Sequence, residues 1–223
     1  MPKARRPPAS LHFSRDKSLG VFNKIGLLGG TFDPPHQAHL VLAQSALEEL
    51  KLDEVWFLPA LRPPHKQGRR ITSFRHRLEM VRLAVLVNPR FKVLTIEKEK
   101  GGVSYTVETL PLLRKKHPKT RFFLLLGSDN LSELRSWKEP EKVFSMATPV
   151  FAHRPRTDSS TTLGTSEKVP VWMERAYWLS NPRLEISSTD LRRRIRVGQS
   201  VRYLVPEGVE RYIRTKRLYR RVE

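Results

Sequence analysis

The chain has 223 residues, of which 39% are hydrophobic and 29% charged, and it contains no cysteine. This length and composition suit one compact domain with a sizeable core, and they exclude collagen-like, coiled-coil and wholly disordered chains. No apolar run approaches about 18 residues, which excludes a membrane-spanning helix. The lack of cysteine excludes disulfides, thiolate nucleophiles and cysteine-based zinc sites, and it fits a reducing compartment such as the cytoplasm.

Positive charge is in large excess, with 42 Lys and Arg against 22 Asp and Glu, a formal net charge of +20. Such an excess favours an anionic partner: nucleic acid, an acidic membrane surface or a polyphosphate nucleotide. Residues 1–24 carry 6 basic and 1 acidic side chains, and residues 183–223 carry 12 and 5. The spread along the chain is typical of a generally basic surface, and the basic ends would add non-specific affinity for nucleic acid.

The predicted elements begin after a tail. Residues 1–23 are rich in Pro, Arg and Ser without periodicity, so we expect a flexible basic tail before a domain over residues 24–223. In chain order the apolar patterns then predict a strand at 24–28 entering a glycine turn, a helix at 37–50, a strand at 54–58, a helix at 73–87, a strand at 91–96, a helix at 107–116 and a strand at 121–126, with weaker strands at 150–152 and 184–186. The polar stretch 157–168 is predicted to be a mobile surface loop.

This alternation of buried runs and amphipathic helices predicts a single α/β domain. Its expected architecture is Rossmann-like, an open parallel sheet with helices on both faces. In such sheets, ligands bind beyond the carboxyl ends of the strands. The residues that follow Leu28, Leu58, Leu126 and Ile186 are therefore the first candidates for chemistry.

The segment from Gly29 to His39 lies where the first strand should pass into the first helix. Glycines there allow the backbone to approach a phosphate, and the free amides of a helix start point towards negative charge. Asp33 before Pro34 is the predicted N-cap, with the proline in the first turn. No Gly-Lys-Ser/Thr sequence closes this loop and it is not G-x-G-x-x-G, so two common nucleotide-binding motifs are excluded.

His36 and His39 are three residues apart and would share one face of that helix. Two imidazoles beside a helix N-terminus would stabilise a phosphate during transfer. A zinc site is disfavoured, because further ligands at suitable spacing are missing and the segment lacks the glutamate of the zincin helix motif.

A second constellation runs from Ile186 to Ile195. Small hydroxyl residues precede a basic helix that Gly198 would end. Hydroxyl groups and exposed amides at a helix start suit another phosphate group, and Arg192 would add bidentate bonds. On its own, this pattern is usually a helix cap followed by a solvated basic face. It becomes strong evidence for a phosphate site because the same chain also contains the histidine pair.

Together, these two segments resemble the HxGH nucleotidylyltransferase superfamily. Within it, the chain is similar to bacterial nicotinate-nucleotide adenylyltransferases. Further matching segments are LPALRPPHK, SYTVETL, GSDNLSELRSW, HRP and YLVPEGVERYI, at 58–66, 104–110, 127–137, 153–155 and 203–213. The resemblance covers the chain from about Lys24 to Ile213.

The resemblance implies transfer of an adenylyl group from ATP to nicotinate mononucleotide, with pyrophosphate as the second product. It assigns catalysis to His36, His39, Lys66 and Arg192. It assigns ATP to Gly29, Gly30, Thr31, Phe32, Gly127, Asp129, Ile186, Ser187, Ser188 and Thr189. It assigns the mononucleotide to Tyr105, Thr106, Trp137 and Arg154. Mg²⁺ would be the cofactor, carried mainly by the ATP phosphates without a dedicated protein site.

The sequence departs from the family pattern at three positions. Ala38 replaces the usual glycine between the histidines, Glu108 stands where aspartate is frequent, and Arg156 follows HRP where glycine is common. Two alternatives stay open. A function as pantetheine-phosphate adenylyltransferase would account for the histidine and ISST motifs, but it would not account for PPHK, SYT or Trp137. A basic nucleic-acid-binding protein would account for the charge, although no binding motif accompanies it.

Overall fold

The computed structural model describes residues 23–66, 68, 70–127, 134–152, 171–182 and 184–220. Residues 1–22 of the predicted basic tail, the loop at 157–168 and the predicted site residues Asp129 and Arg154 lie outside these ranges, whereas Asn23, predicted as the last tail residue, begins the first strand. Within them, no helix is long and apolar enough to span a membrane.

One six-stranded parallel sheet forms the centre of the described chain. Its strands are β1 (Asn23–Gly30), β2 (Glu54–Pro59), β3 (Phe91–Val93), β4 (Thr120–Gly127), β5 (Thr148–Ala152) and β6 (Tyr177–Leu179). They lie in the order β3-β2-β1-β4-β5-β6. Every neighbouring pair is parallel. This is the strand order of a Rossmann-like fold, which confirms the predicted class, and its topological switch point lies between β1 and β4.

Seven α-helices occur in the described residues: α1 (Gln37–Glu49), α2 (Phe74–Val85), α3 (Ile96–Lys100), α4 (Thr106–Lys116), α5 (Pro140–Met146), α6 (Ser188–Arg196) and α7 (Glu207–Thr215). The helices predicted at 37–50, 73–87 and 107–116 are confirmed as α1, α2 and α4. Helix α4 continues through Pro111, so the proline neither delays nor ends it.

Helices cover both faces of the sheet, and each strand therefore sends apolar side chains in both directions. Leu27 and Leu124 belong to a core shared with α4 and α5. Leu28 and Leu125 belong to the core on the opposite face, shared with α1 and α2. Burial on both faces explains why the strands are continuous apolar runs instead of alternating patterns.

A third core places the second predicted motif. Leu191 of α6, Val209 of α7 and Met80 of α2 are completely buried and belong to one cluster. Ile186 and Leu40 pack against it from its edge. The C-terminal helices are thereby held beside α2 and the first turn of α1, next to the carboxyl end of β1.

Two strand predictions need correction. The strand predicted at 184–186 is absent: these residues lead into α6, and Ile186 packs against the third core instead of the sheet. The sixth strand is Tyr177–Leu179, which pairs with β5. The strand predicted at 91–96 ends at Val93, because the carbonyl of Thr95 accepts the amides of Lys98 and Glu99 and so begins α3.

Candidate active site

The loop between β1 and α1 is tightly built. Phe32 adopts a left-handed backbone conformation, with φ of 51°, and its ring is buried. A Cβ on Gly30 would lie 3.1 Å from that ring, a tight contact that the ring would have to relieve by a small shift where the loop folds back on itself. Because its ring is in the core, Phe32 can meet a nucleotide only through its backbone.

The prediction that Asp33 caps α1 is wrong. The peptide bond between Asp33 and Pro34 is cis, and the helix begins at Gln37 with His36 as its N-cap. The Asp33 carboxylate turns inward and is only 2% exposed. Its Oδ1 accepts a hydrogen bond of 2.7 Å from the Tyr219 hydroxyl, and its Oδ2 accepts one of 3.2 Å from the Thr72 amide.

The two histidines share one face of α1, as predicted. Their rings stack with centroids 3.8 Å apart, and the ring of Phe32 supports His39 edge-on at 5.0 Å. The backbone amide of His36 donates to Nδ1 of His39 at 3.1 Å. Since Nδ1 is an acceptor, a neutral His39 carries its proton on Nε2, where it can donate to an anion.

The second motif docks directly on this loop. Oγ of Ser188 donates to the carbonyl of Pro34 at 2.8 Å, and Nη1 of Arg192 donates to the carbonyl of Asp33 at 2.7 Å. Nη2 of Arg192 also donates to Oγ1 of Thr189 at 3.2 Å. Two segments more than 150 residues apart thus meet at the carboxyl end of β1, and the Arg192 side chain of the second segment is hydrogen-bonded to the first.

The first turn of α6 has the polarity required for an anion. Ser187 is the N-cap, and its Oγ accepts the amide of Asp190 at 3.1 Å. The amides of a first helical turn have no intrahelical acceptor and carry the positive end of the helix dipole. Hydroxyl groups, amides and the guanidinium of Arg192 therefore lie together at the start of α6, at the point where it docks on the loop of the histidine pair.

A buried arginine organises the loops beneath this point. The Arg77 side chain is 1% exposed. Its guanidinium donates to four backbone carbonyls: Thr72 at 2.9 Å, Thr31 at 2.8 Å, Ala60 at 2.7 Å and Leu61 at 3.1 Å. Burial lowers the pKa of Arg77, and the nearby Asp33 carboxylate partly opposes that shift. Arg77 joins the loops that follow β1 and β2 to the loop before α2.

The loop after β2 continues towards α4. Lys66 lies in a short 3₁₀ helix, Pro64–Lys66. Oγ of Ser104 accepts the amide of Leu61 at 2.8 Å, and the Ser104 amide donates to the carbonyl of Arg62 at 2.9 Å. The segment that contains Lys66 is therefore attached to the residues immediately before Tyr105 and Thr106.

Tyr105 and Trp137 border the same end of the sheet. Tyr105 is the N-cap of α4, and Thr106 is its first residue. The indole of Trp137 is half-buried and stacks on Phe144 with centroids 6.3 Å apart. Both rings pack against the core on the α4 side, and Nζ of Lys138, the residue after Trp137, lies 4.8 Å from the centroid of the Tyr105 ring.

Comparison with known proteins identifies the family. The family model described as cytidylyltransferase-like matches residues 27–194. A probable nicotinate-nucleotide adenylyltransferase of Salinibacter ruber is 43% identical over 198 residues, 88% of this chain and 97% of the relative. Another of that name, from Exiguobacterium sibiricum, is 45% identical over 196 residues, 88% of this chain and 98% of the relative. The chain belongs to the nicotinate-nucleotide adenylyltransferase family.

Solved structures share the fold. A nicotinic acid mononucleotide adenylyltransferase of Plasmodium falciparum, complexed with NaAD, superposes with a TM-score of 0.70 at 20% identity over 88% of this chain and 97% of that one. A putative nicotinate-nucleotide adenylyltransferase of Vibrio parahaemolyticus gives a TM-score of 0.65 at 16% identity, covering 90% and 97%. Because the identities are low, the likeness concerns the fold: this chain has the same Rossmann-like architecture as these adenylyltransferase structures.

The remaining predicted residues of this adenylyltransferase family member fall into two groups. Gly127 ends β4, at the carboxyl end of the sheet, whereas Ile186 precedes α6 and packs against the third core. Asp129 and Arg154 lie outside the described residues, and their assignments stay predictions. Among the described residues, no group of three or more His, Asp or Glu side chains could hold a metal ion.

The sequence does not indicate the roles of three residues that connect the loops of this adenylyltransferase site. Arg77 is an ordinary charged position within α2, and Tyr219 follows the last matching motif of the family. Asp33 is predicted as a helix cap and not as a buried carboxylate. A local sequence pattern cannot indicate a side chain whose partners are backbone carbonyls or distant groups. Tyr219 and Asp33, for example, are hydrogen-bonded to each other although they are more than 180 residues apart.

Proposed function

We propose that the chain catalyses adenylyl transfer from ATP to nicotinate mononucleotide, which yields nicotinate adenine dinucleotide and pyrophosphate as a step of NAD biosynthesis. The observation that carries the proposal is the contact of Arg192 and Ser188 with the loop of His36 and His39. Only the folded chain assembles that site, and relatives with 40–45% identity bear the name of this activity.

The chemistry needs no nucleophile from the protein. A phosphate oxygen of the mononucleotide attacks the α-phosphorus of ATP, the bond from that phosphorus to the bridging oxygen breaks, and pyrophosphate leaves with the electron pair. The attacking oxygen is already anionic, so no strong general base is required. The chain's contribution is to hold two polyanions in line and to neutralise the charge that develops in the transition state.

The geometry suggests separate tasks for the phosphate-binding residues. Nε2–H of His39 would donate to the α-phosphate beside His36, with the backbone of Gly30 and Thr31 nearby. Arg192 and the start of α6 would hold the β- and γ-phosphates. The hydroxyl of Ser188 already donates to Pro34, so Ser188 would bind phosphate through its backbone amide, whereas Ser187 and Thr189 would offer their hydroxyl groups.

Other assignments rest on the family resemblance and on position. Lys66 would approach the triphosphate from the loop after β2, and Gly127 with Asp129 would bind the ribose of ATP. Tyr105, Thr106, Trp137 and Arg154 would bind the mononucleotide. Mg²⁺ fits as part of the MgATP substrate, because hard cations at triphosphates commonly take their ligands from phosphate and water. The absence of cysteine supports a cytoplasmic setting for the reaction.

The decisive experiment follows pyrophosphate release from MgATP with three acceptors: nicotinate mononucleotide, nicotinamide mononucleotide and phosphopantetheine. The proposal predicts turnover with a pyridine mononucleotide and none with phosphopantetheine. Turnover only with phosphopantetheine would favour the pantetheine-phosphate alternative. Tight, salt-sensitive binding of DNA or RNA without any binding of ATP would favour a nucleic-acid-binding protein.

A further inference from the structure

A cluster of charged side chains lies at the start of α4. Nζ of Lys138 lies 2.8 Å from Oε1 of Glu108, and Nζ of Lys100 lies 3.1 Å from Oε2 of the same carboxylate. Lys100 also donates to the carbonyls of Val103 at 2.6 Å and Gly101 at 3.2 Å. One carboxylate is therefore shared by two ammonium groups, and these three groups together carry one net positive charge.

The positions of these charges relative to the aromatic residues are informative. Lys138 directly follows Trp137, and its Nζ lies 4.8 Å from the centroid of the Tyr105 ring, a cation–π distance. Tyr105 caps the N-terminus of α4, where the helix dipole adds to the positive potential. The excess charge thus lies against one aromatic residue assigned to the acceptor and next in sequence to the other.

Glu108 and Lys138 are both held in their charged forms at neutral pH. The hydrogen bond from Lys138, followed by that from Lys100, lowers the pKa of Glu108, and the same bond to Glu108 raises the pKa of Lys138. Lys100 is held most firmly, since its side chain is only 12% exposed, whereas that of Lys138 is 47% exposed. Lys138 can therefore adjust towards a bound anion without losing its fixed neighbours.

We propose that Lys138 is a specificity-determining residue, which favours an acceptor with a carboxylate on its pyridine ring over one with a carboxamide. This inference rests on the function proposed above and concerns the acceptor end of the same site. The two acceptors have nearly the same shape and differ by one negative charge. Discrimination between them is a difference of binding free energies, which a cation beside the ring supplies.

The test compares kcat/KM for nicotinate mononucleotide with kcat/KM for nicotinamide mononucleotide and uses their ratio. Lys138→Met should lower the ratio about 5-fold, as expected for one solvent-exposed charge interaction. Lys138→Glu should lower it further, and Lys138→Arg should preserve it. The matched control is Lys116→Met at the opposite end of α4, which removes a lysine of similar exposure, paired at 3.1 Å with Glu99, and should leave the ratio unchanged.

A second test varies the ionic strength, and it distinguishes an effect of the Lys138 charge from an effect of side-chain shape. Between about 0.05 and 0.5 M salt the ratio should fall for the wild type and change much less for Lys138→Met, because salt screens an exposed charge. An unchanged ratio in both Lys138→Met and Lys138→Glu would overturn the inference while leaving the adenylyl transfer itself intact. Failure of the wild-type chain to adenylylate either acceptor would overturn the proposed function, and the inference with it.

Discussion

The hydroxyl of Tyr219 donates a 2.7 Å hydrogen bond to the buried carboxylate of Asp33, 186 residues away. The backbone carbonyl of the same Asp33 accepts from Arg192. The turn after α7 is therefore tied to the loop that leads to the histidine pair, and it supports the site without facing the substrate. This relationship makes the C-terminal turn part of the architecture of the active site.

Removal of the Tyr219 hydroxyl should weaken the fold. In Tyr219→Phe the Asp33 carboxylate stays buried with one donor fewer, which should cost about 1–3 kcal/mol in the free energy of unfolding. Urea denaturation would measure this loss. Tyr203→Phe is the control, because Tyr203 is 80% exposed, and it should have little effect. Equal stabilities of the two variants would contradict the account.

The buried hydroxyl of Tyr219 should also make the folded state less stable at alkaline pH. Burial, reinforced by the Asp33 carboxylate, raises the pKa of Tyr219 above its ordinary value of about 10. Above pH 10 the unfolded chain releases this proton and the folded chain retains it, so stability falls as pH rises further. Between pH 9 and 11, the free energy of unfolding should fall more steeply for the wild type than for Tyr219→Phe. Parallel curves would rule out this coupling.

Loss of Arg77 should be more damaging than loss of any surface arginine. Arg77→Met leaves four part-buried carbonyls without their donor and a large gap in place of a buried guanidinium, and it should cost about 3–5 kcal/mol of stability. Arg82→Met, one turn further along α2, removes an exposed side chain 3.7 Å from Glu79 and should cost under about 0.5 kcal/mol. Chemical denaturation of both variants checks the contrast, which a small loss in Arg77→Met would refute.

Two neighbouring arginines of α6 should differ in their effect on catalysis. Arg192 bonds to Asp33 and Thr189, whereas Arg193 forms a 2.7 Å exposed pair with Asp190. Arg192→Met should lower kcat/KM for MgATP on the order of 10²-fold, because a preorganised donor to the triphosphate is lost. Arg193→Met should retain activity close to that of the wild type. Steady-state kinetics at fixed mononucleotide concentration would reveal the difference, and equal losses would argue against a specific role for Arg192.

The fold was largely predictable because its signals are local. Continuous apolar runs specify β1, β2 and β4, and helical periodicity specifies α1, α2 and α4. The strand Tyr177–Leu179 could not be predicted in the same way, since it is three residues long and depends on pairing with β5.

The site was predictable only in part. The histidine pair and the start of α6 were found from residue types and spacing, and the structure brings both to one place. The roles of Asp33, Arg77 and Tyr219 depend on long-range contacts with buried backbone or side-chain groups. Those contacts exist only after folding, so spacing along the chain carries no sign of them.

On the function proposed above, the imidazole pair and the first turn of α6 form one binding site for a triphosphate. The most direct measurement is pyrophosphate release from MgATP and nicotinate mononucleotide by the wild type and His36→Ala, with thermal unfolding of both proteins in the same buffer. We predict a loss of turnover on the order of 10²–10³-fold in a variant that still unfolds cooperatively above the assay temperature. Wild-type turnover by folded His36→Ala would show that the imidazole pair does not take part in the reaction.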